Sequence, residues 1–266
     1  MTTPVRQSSP AGAHAPGLPA PRRPWTRRRS ASGALARTEA RHLARSPLLW
    51  AGLALALPVL YLTSSPNWPA LAGDDLVAYL PVSVFGAGAL LAGAWLALRD
   101  RTTGAADLVA VTPTAPWRLL GARLASVAAV TAGAFVVAFA AALAVSAARG
   151  GRGMPELRLL ADGALAVVLG GWVGVAVGRW SGSRMVSVLA APVWVAACLF
   201  AGSWPAEPSL VVQRLAPLLF FRGERSAEFG FLPDPLWPHL GYLLGLVLLV
   251  GVGLLTLATR GGGQRP

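Results

Sequence analysis

The chain contains no lysine: all 23 of its basic residues are arginine. A phosphate-cradling P-loop needs a lysine after its second glycine to reach the β- and γ-phosphates. The chain therefore cannot carry that motif, and it has no amine for a Schiff base. Any use it makes of nucleotide energy must run through a partner. Charge is also scarce. Only 13% of the 266 residues are charged, against roughly 25% in an ordinary soluble domain. Hydrophobic residues make up 55%, and the mean hydropathy is +0.56. A surface so poor in charge cannot face water everywhere.

Cysteine is reduced to Cys198, inside an apolar run, so an internal disulfide is excluded and the redox compartment is not readable. The three histidines, His14, His42 and His239, are too far apart for metal-ligand spacing, and no H-E-x-x-H or paired-glutamate motif occurs. Asp74-Asp75 reads as a solvated pair ahead of an apolar segment. Ser181-Gly182-Ser183 has no histidine where a hydrolase base would be needed and reads as a tight turn. From these absences, neither catalysis, a metal nor a cofactor held by this chain is expected.

What remains is apolar and segmented. Charges gather mostly in short patches between six long apolar runs, about 48–62, 76–98, 124–148, 159–177, 185–202 and 239–259. A bilayer core needs about 20 apolar residues in helical form, so the first run is short and the others suffice. Barrel strands would alternate over about ten residues, and these runs are far longer. Small residues pervade them, as in Ala132-Gly133-Ala134, which favours close helix–helix contact in lipid. The expected fold is all-α: a polytopic membrane protein with six transmembrane helices.

The flanks refine this picture. Residues 1–32 are rich in Pro, Ser, Ala and Arg, lack an apolar period, and read as a disordered cytoplasmic tail. The Arg22-Arg23 and Arg28-Arg29 pairs are too far from the first apolar run for an export signal. Residues 33–45 follow as a short amphipathic helix. Leu35, Ala36, Ala40 and Leu43 take one side, and Arg37, Arg41 and Arg45 the other, a pattern suited to the headgroup plane. Nine arginines precede residue 46, so the net charge of +12 points to anionic lipid rather than nucleic acid. With the N-terminus inside, inner segments hold 17 arginines and outer ones 6, which predicts that both termini are cytoplasmic. Residues 203–238 carry a mostly apolar stretch, Leu210–Phe221, expected at the outer leaflet before the last span. Asp162, near the start of the fourth run, is the one acid placed within membrane depth, where a carboxylate marks either a functional site or a helix start at the interface.

The inner loop between the second and third runs holds the motif. Arg99 to Arg101 give a charged stop, and Gly104 opens a short helix bearing Asp107, Leu108 and Val111. Thr112-Pro113 ends that helix, and Leu119-Leu120-Gly121 with Arg123 leads back toward the membrane. A short, partly apolar helix between charged ends suits a groove on a cytosolic partner. This pattern resembles the permease subunits of type-2 ATP-binding-cassette exporters, although Ala105 stands where that family often has Thr, and arginine replaces its usual lysine. The resemblance implies that residues 33–266 form one transmembrane permease domain in a bacterial cell membrane. It also implies pairing with a second permease subunit and with a cytosolic ATPase subunit that binds the ATP. Gly104, Asp107, Leu108, Val111, Thr112 and Pro113 would form the ATPase-coupling loop. An ion-coupled transporter, a membrane assembly factor and a membrane-embedded enzyme are the alternatives.

Overall fold

In the computed structural model, described for residues 25–63, 79–102, 115–148, 157–203 and 236–261, every regular element is an α-helix. The seven described helices are α1 (Trp25–Ala44), α2 (Pro47–Thr63), α3 (Tyr79–Thr102), α4 (Pro116–Ala148), α5 (Leu157–Ser181), α6 (Arg184–Ser203) and α7 (Leu236–Gly261). Helix starts follow local chemistry. Pro47 and Pro116 occupy first-turn positions, where the missing N–H costs nothing. Ser46 and Ala115 accept the first helical bonds, from Trp50 and Leu119. At the α5–α6 turn Gly182 has φ 63°, and its N–H donates to the Gly178 carbonyl. Only a residue without Cβ takes that left-handed position freely.

Four helices contain stretches long and apolar enough to cross a membrane: Val82–Arg99, Pro116–Ala142, Leu160–Ser181 and Trp237–Arg260. Two shorter apolar stretches, Pro47–Pro58 and Arg184–Cys198, fall where the first and fifth of the six expected spans were placed. The first is short because α2 has 17 residues, about 25 Å of helix against the ~30 Å of a hydrocarbon core. The surface suits lipid: Leu189, Val193, Leu248, Leu249, Val252 and Leu257 all point outward from mid-helix positions. In water such an outer face would be expensive; in a bilayer it is matched to its solvent.

Packing is organised around α3 and α5. These run parallel, as the succession Gly86 to Gly170, Leu90 to Gly174 and Ala94 to Gly178 shows. Glycine recurs every fourth residue on α5, placing a bare strip of backbone against α3. A Cβ on Gly174 would fall on the Leu90 carbonyl, and one on Gly178 would come within 2.5 Å of the Ala94 carbonyl. Helix α2 lies antiparallel on α3, with Gly52 against Gly88, and α6 lays Trp194 over Gly86. On the other side, α4 and α7 pack on α5, and α1 packs along α4. The span in α3 is accordingly 78% buried and that in α7 only 22%, which makes α3 the centre and α7 the rim.

Two expected boundaries shift. Helix α1 begins at Trp25 rather than near Gly33, so helix reaches into the segment read as tail. Helix α4 begins at Pro116, taking in the Leu119-Leu120-Gly121 return. The stretch 203–238 lies largely outside the described residues.

The α3–α5 contact makes a direct test. Replacing Gly174 with leucine should destabilise the protein by about 3 kcal/mol, because the obstructing atom is a backbone carbonyl that cannot rotate away. Leucine at Gly245, which has open space around it, should change stability by less than about 0.5 kcal/mol. Denaturant titration in detergent micelles reads both.

Candidate functional site

Asp162 lies in the second turn of α5, His239 in the first turn of α7. Because α5 and α7 run parallel, the two residues meet at the same end of the bundle, two positions inside their candidate spans. His239 Nδ1 lies 2.6 Å from Asp162 Oδ1. Their side chains are 0% and 3% exposed. The next residue, Gly163, lets the Phe135 ring of α4 press onto α5. Phe135 in turn stacks on Phe139, centroids 6.1 Å apart. The Tyr242 ring stands 6.0 Å from that of His239. An acid and an imidazole are thus buried together at the mouth of two spans, with the Tyr242 ring beside the imidazole.

Contact at 2.6 Å requires a proton between the two atoms, and with an ionised carboxylate the Nδ1–H donates to it. Among the described residues no group of three His, Cys, Asp or Glu side chains is placed to hold a metal. The pair is a buried hydrogen-bonded tie between α5 and α7.

A second polar junction sits at the opposite end. Arg123 of α4 pairs with Glu39 of α1 at 3.2 Å, both nearly buried. The Ser126 hydroxyl lies 2.8 Å from the Ala36 carbonyl and 2.7 Å from its own helix's Ala122 carbonyl, so its single proton serves either. The Trp50 indole N–H donates to the Ala44 carbonyl at 2.6 Å, tying the start of α2 to the end of α1. The Trp172 indole N–H joins α5 to α4 through the Leu124 carbonyl at 3.0 Å. Arg37, Arg41 and Arg45 are all exposed, on the face away from buried Leu43. Arg37 turns back to the Gly33 carbonyl at 3.3 Å.

Gly104, Asp107, Leu108, Val111, Thr112 and Pro113 lie outside the described residues. The structure brings Asp162 together with a residue that sequence reasoning had left alone, His239. The signal was present: both stand at the start of runs expected to enter the membrane from the same side. Glu39–Arg123 had no comparable cue.

Removing one partner of a buried pair strands the other. Asp162→Ala and His239→Ala should each lower stability by about 3 kcal/mol, and the double variant should be no worse than the weaker single. Strictly additive losses in a micelle denaturation cycle would show that the two side chains are not energetically coupled. Compared with known proteins, the chain matches no protein-family model and no curated protein.

Proposed function

We propose that this membrane protein is the permease subunit of a type-2 ATP-binding-cassette exporter, moving a substrate outward with energy from a separate cytosolic ATPase. On this reading it crosses a bacterial cell membrane six times, with both termini in the cytoplasm and the apolar stretch of 203–238 at the outer leaflet. A second permease subunit completes the pathway, ATP binds the partner, and this chain is not itself the enzyme.

The observation that carries the reading is the loop pattern from Arg99 to Arg123 together with what anchors its far end. Helix α4 emerges from that loop, and within its first three turns Arg123 and Ser126 are fastened to α1. A push on the loop would therefore reach α4 and α1 together. Orientation is supported by charge. Arg45, Arg99, Arg118, Arg123, Arg179, Arg184 and Arg260 all fall where α3, α5 and α7 end and α2, α4 and α6 begin. Such an end belongs on the cytoplasmic side.

One observation favours a second reading. The buried Asp162–His239 pair is the kind of intramembrane ionisable group that an ion-coupled transporter uses. The two readings separate cleanly. If the exporter reading holds, the protein purified from its own membranes brings down an ATPase with a lysine-bearing P-loop. Leu108→Asp should then cut transport in proteoliposomes at least tenfold while leaving ATP hydrolysis and assembly intact. Full transport in an assembled Leu108→Asp complex overturns it. Transport that needs a proton gradient, survives Leu108→Asp and fails in Asp162→Asn establishes the ion-coupled reading instead.

A further inference from the structure

Helix α6 carries Pro192 near its midpoint. Proline has no N–H to give the Val188 carbonyl, and its ring crowds that carbonyl, so a helix bends at such a residue. Val188, Leu189 and Val193 face outward, which puts the missing bond on the lipid side. The two halves of α6 are held differently. Its inner end is joined to α5 by the turn at Gly182, and the Arg184 guanidinium lies 5.2 Å from the centroid of the Trp95 ring on α3. Beyond Pro192 the helix buries Trp194 and Cys198, one turn apart and 8% and 0% exposed.

The Trp194 indole edge fills a slot that two glycines leave at the α3–α5 seam. A Cβ on Gly86 would come within 2.7 Å of its Nε1, and one on Gly170 within 3.3 Å of its Cζ2. Its N–H is buried there without a hydrogen bond. A buried indole ordinarily finds an acceptor, as Trp50 and Trp172 do on carbonyls of neighbouring helices. For Trp194 the ring fits the slot and the donor does not, so packing seats it against the cost of an unmet N–H. We propose that the outer half of α6 is a hinged wall, which swings off α3 about Pro192 and draws Trp194 out of the Gly86–Gly170 slot. The inner half stays in place, held by its turn and by Arg184. Withdrawal bares glycine backbone to an opening between α3 and α6, and it lets water reach the indole N–H. The α3–α5 backbone contact is untouched, because the hinge lies outside it. This motion requires neither an ATPase nor an ion, and it stands apart from both transport readings.

Cys198, the chain's only cysteine, reports the motion without an engineered label. The full chain in nanodiscs is treated with N-ethylmaleimide under native conditions, and alkylation is followed by mass spectrometry. The closed position hides Cys198, so alkylation should be slow, yet faster than global unfolding measured in the same nanodiscs. Pro192→Ala restores the helical hydrogen bond and should slow it by roughly tenfold or more. Trp194→Ala empties the slot and should quicken it by roughly tenfold. Pro58→Ala makes the same repair within α2 and should leave the rate unchanged. If Trp194→Ala does not assemble, the two proline variants decide alone. Equal rates in the wild-type chain and Pro192→Ala, equal slowing in Pro58→Ala, or alkylation no faster than unfolding overturns the hinge.

Discussion

The backbone contact between α3 and α5 is the constraint on which the other packing depends. In lipid, apolar side chains gain little by leaving hydrocarbon for one another, so helices associate through close van der Waals fit. Glycine every fourth residue on α5 removes the side chains that would hold the axes apart. The Leu90 and Ala94 carbonyls of α3 then lie directly on α5 backbone. With that seam set, α2 and α6 have only α3's remaining faces to cover, and α4 and α7 have α5's. The central position of α3 and the lipid exposure of α7 both follow from it.

Packing alone leaves helices free to slide and rotate, and polar ties remove that freedom. A polar group in hydrocarbon must find its partner inside the protein. The ties fall between different helix pairs: Trp50 to Ala44 for α1–α2, Glu39 to Arg123 for α1–α4, Trp172 to Leu124 for α4–α5 and Asp162 to His239 for α5–α7. Each is directional and fixes register, whereas the small-residue seam fixes distance. Glu39 still leaves Oε2 without a hydrogen bond in a buried position. That junction is therefore satisfied less completely than the Asp162–His239 pair, and it is the more costly to maintain.

The helical fold was legible because apolar runs of transmembrane length admit few other structures. The short first run was legible too, since the residues of 48–62 can simply be counted. Boundaries were less so: α4 gains eight residues because Pro116 starts a helix wherever it is allowed to, which an apolar count from Leu124 ignores. The polar partnerships were hardest. Asp162 could be singled out as an oddity, but its partner lies 77 residues away. Only the relative direction and rotation of α5 and α7 bring the two together. Arg123 looked like one more basic residue at a membrane surface until α1 was seen to run back along α4. Sequence marks which residues are out of place in lipid; the fold decides which of them meet.

These features limit where a transport motion could occur. The α3–α5 seam cannot open without exposing backbone to lipid, and the α4–α5–α7 group is held near mid-span by Trp172 and at one end by Asp162–His239. The elbow is fastened to both α4 and α2. A push entering at the base of α4 thus reaches α1, α2, α5 and α7 through these ties. On the exporter reading, these ties would pass the push on toward the outer apolar faces. The Asp162–His239 tie is the exception that matters. It sits at the far end and joins the peripheral α7 to α5 through one bridging hydrogen bond, so loss of that bond would release the helix least buried by its neighbours. An ion-coupled mechanism would need that internal movement; a motor-driven one needs the tie to hold.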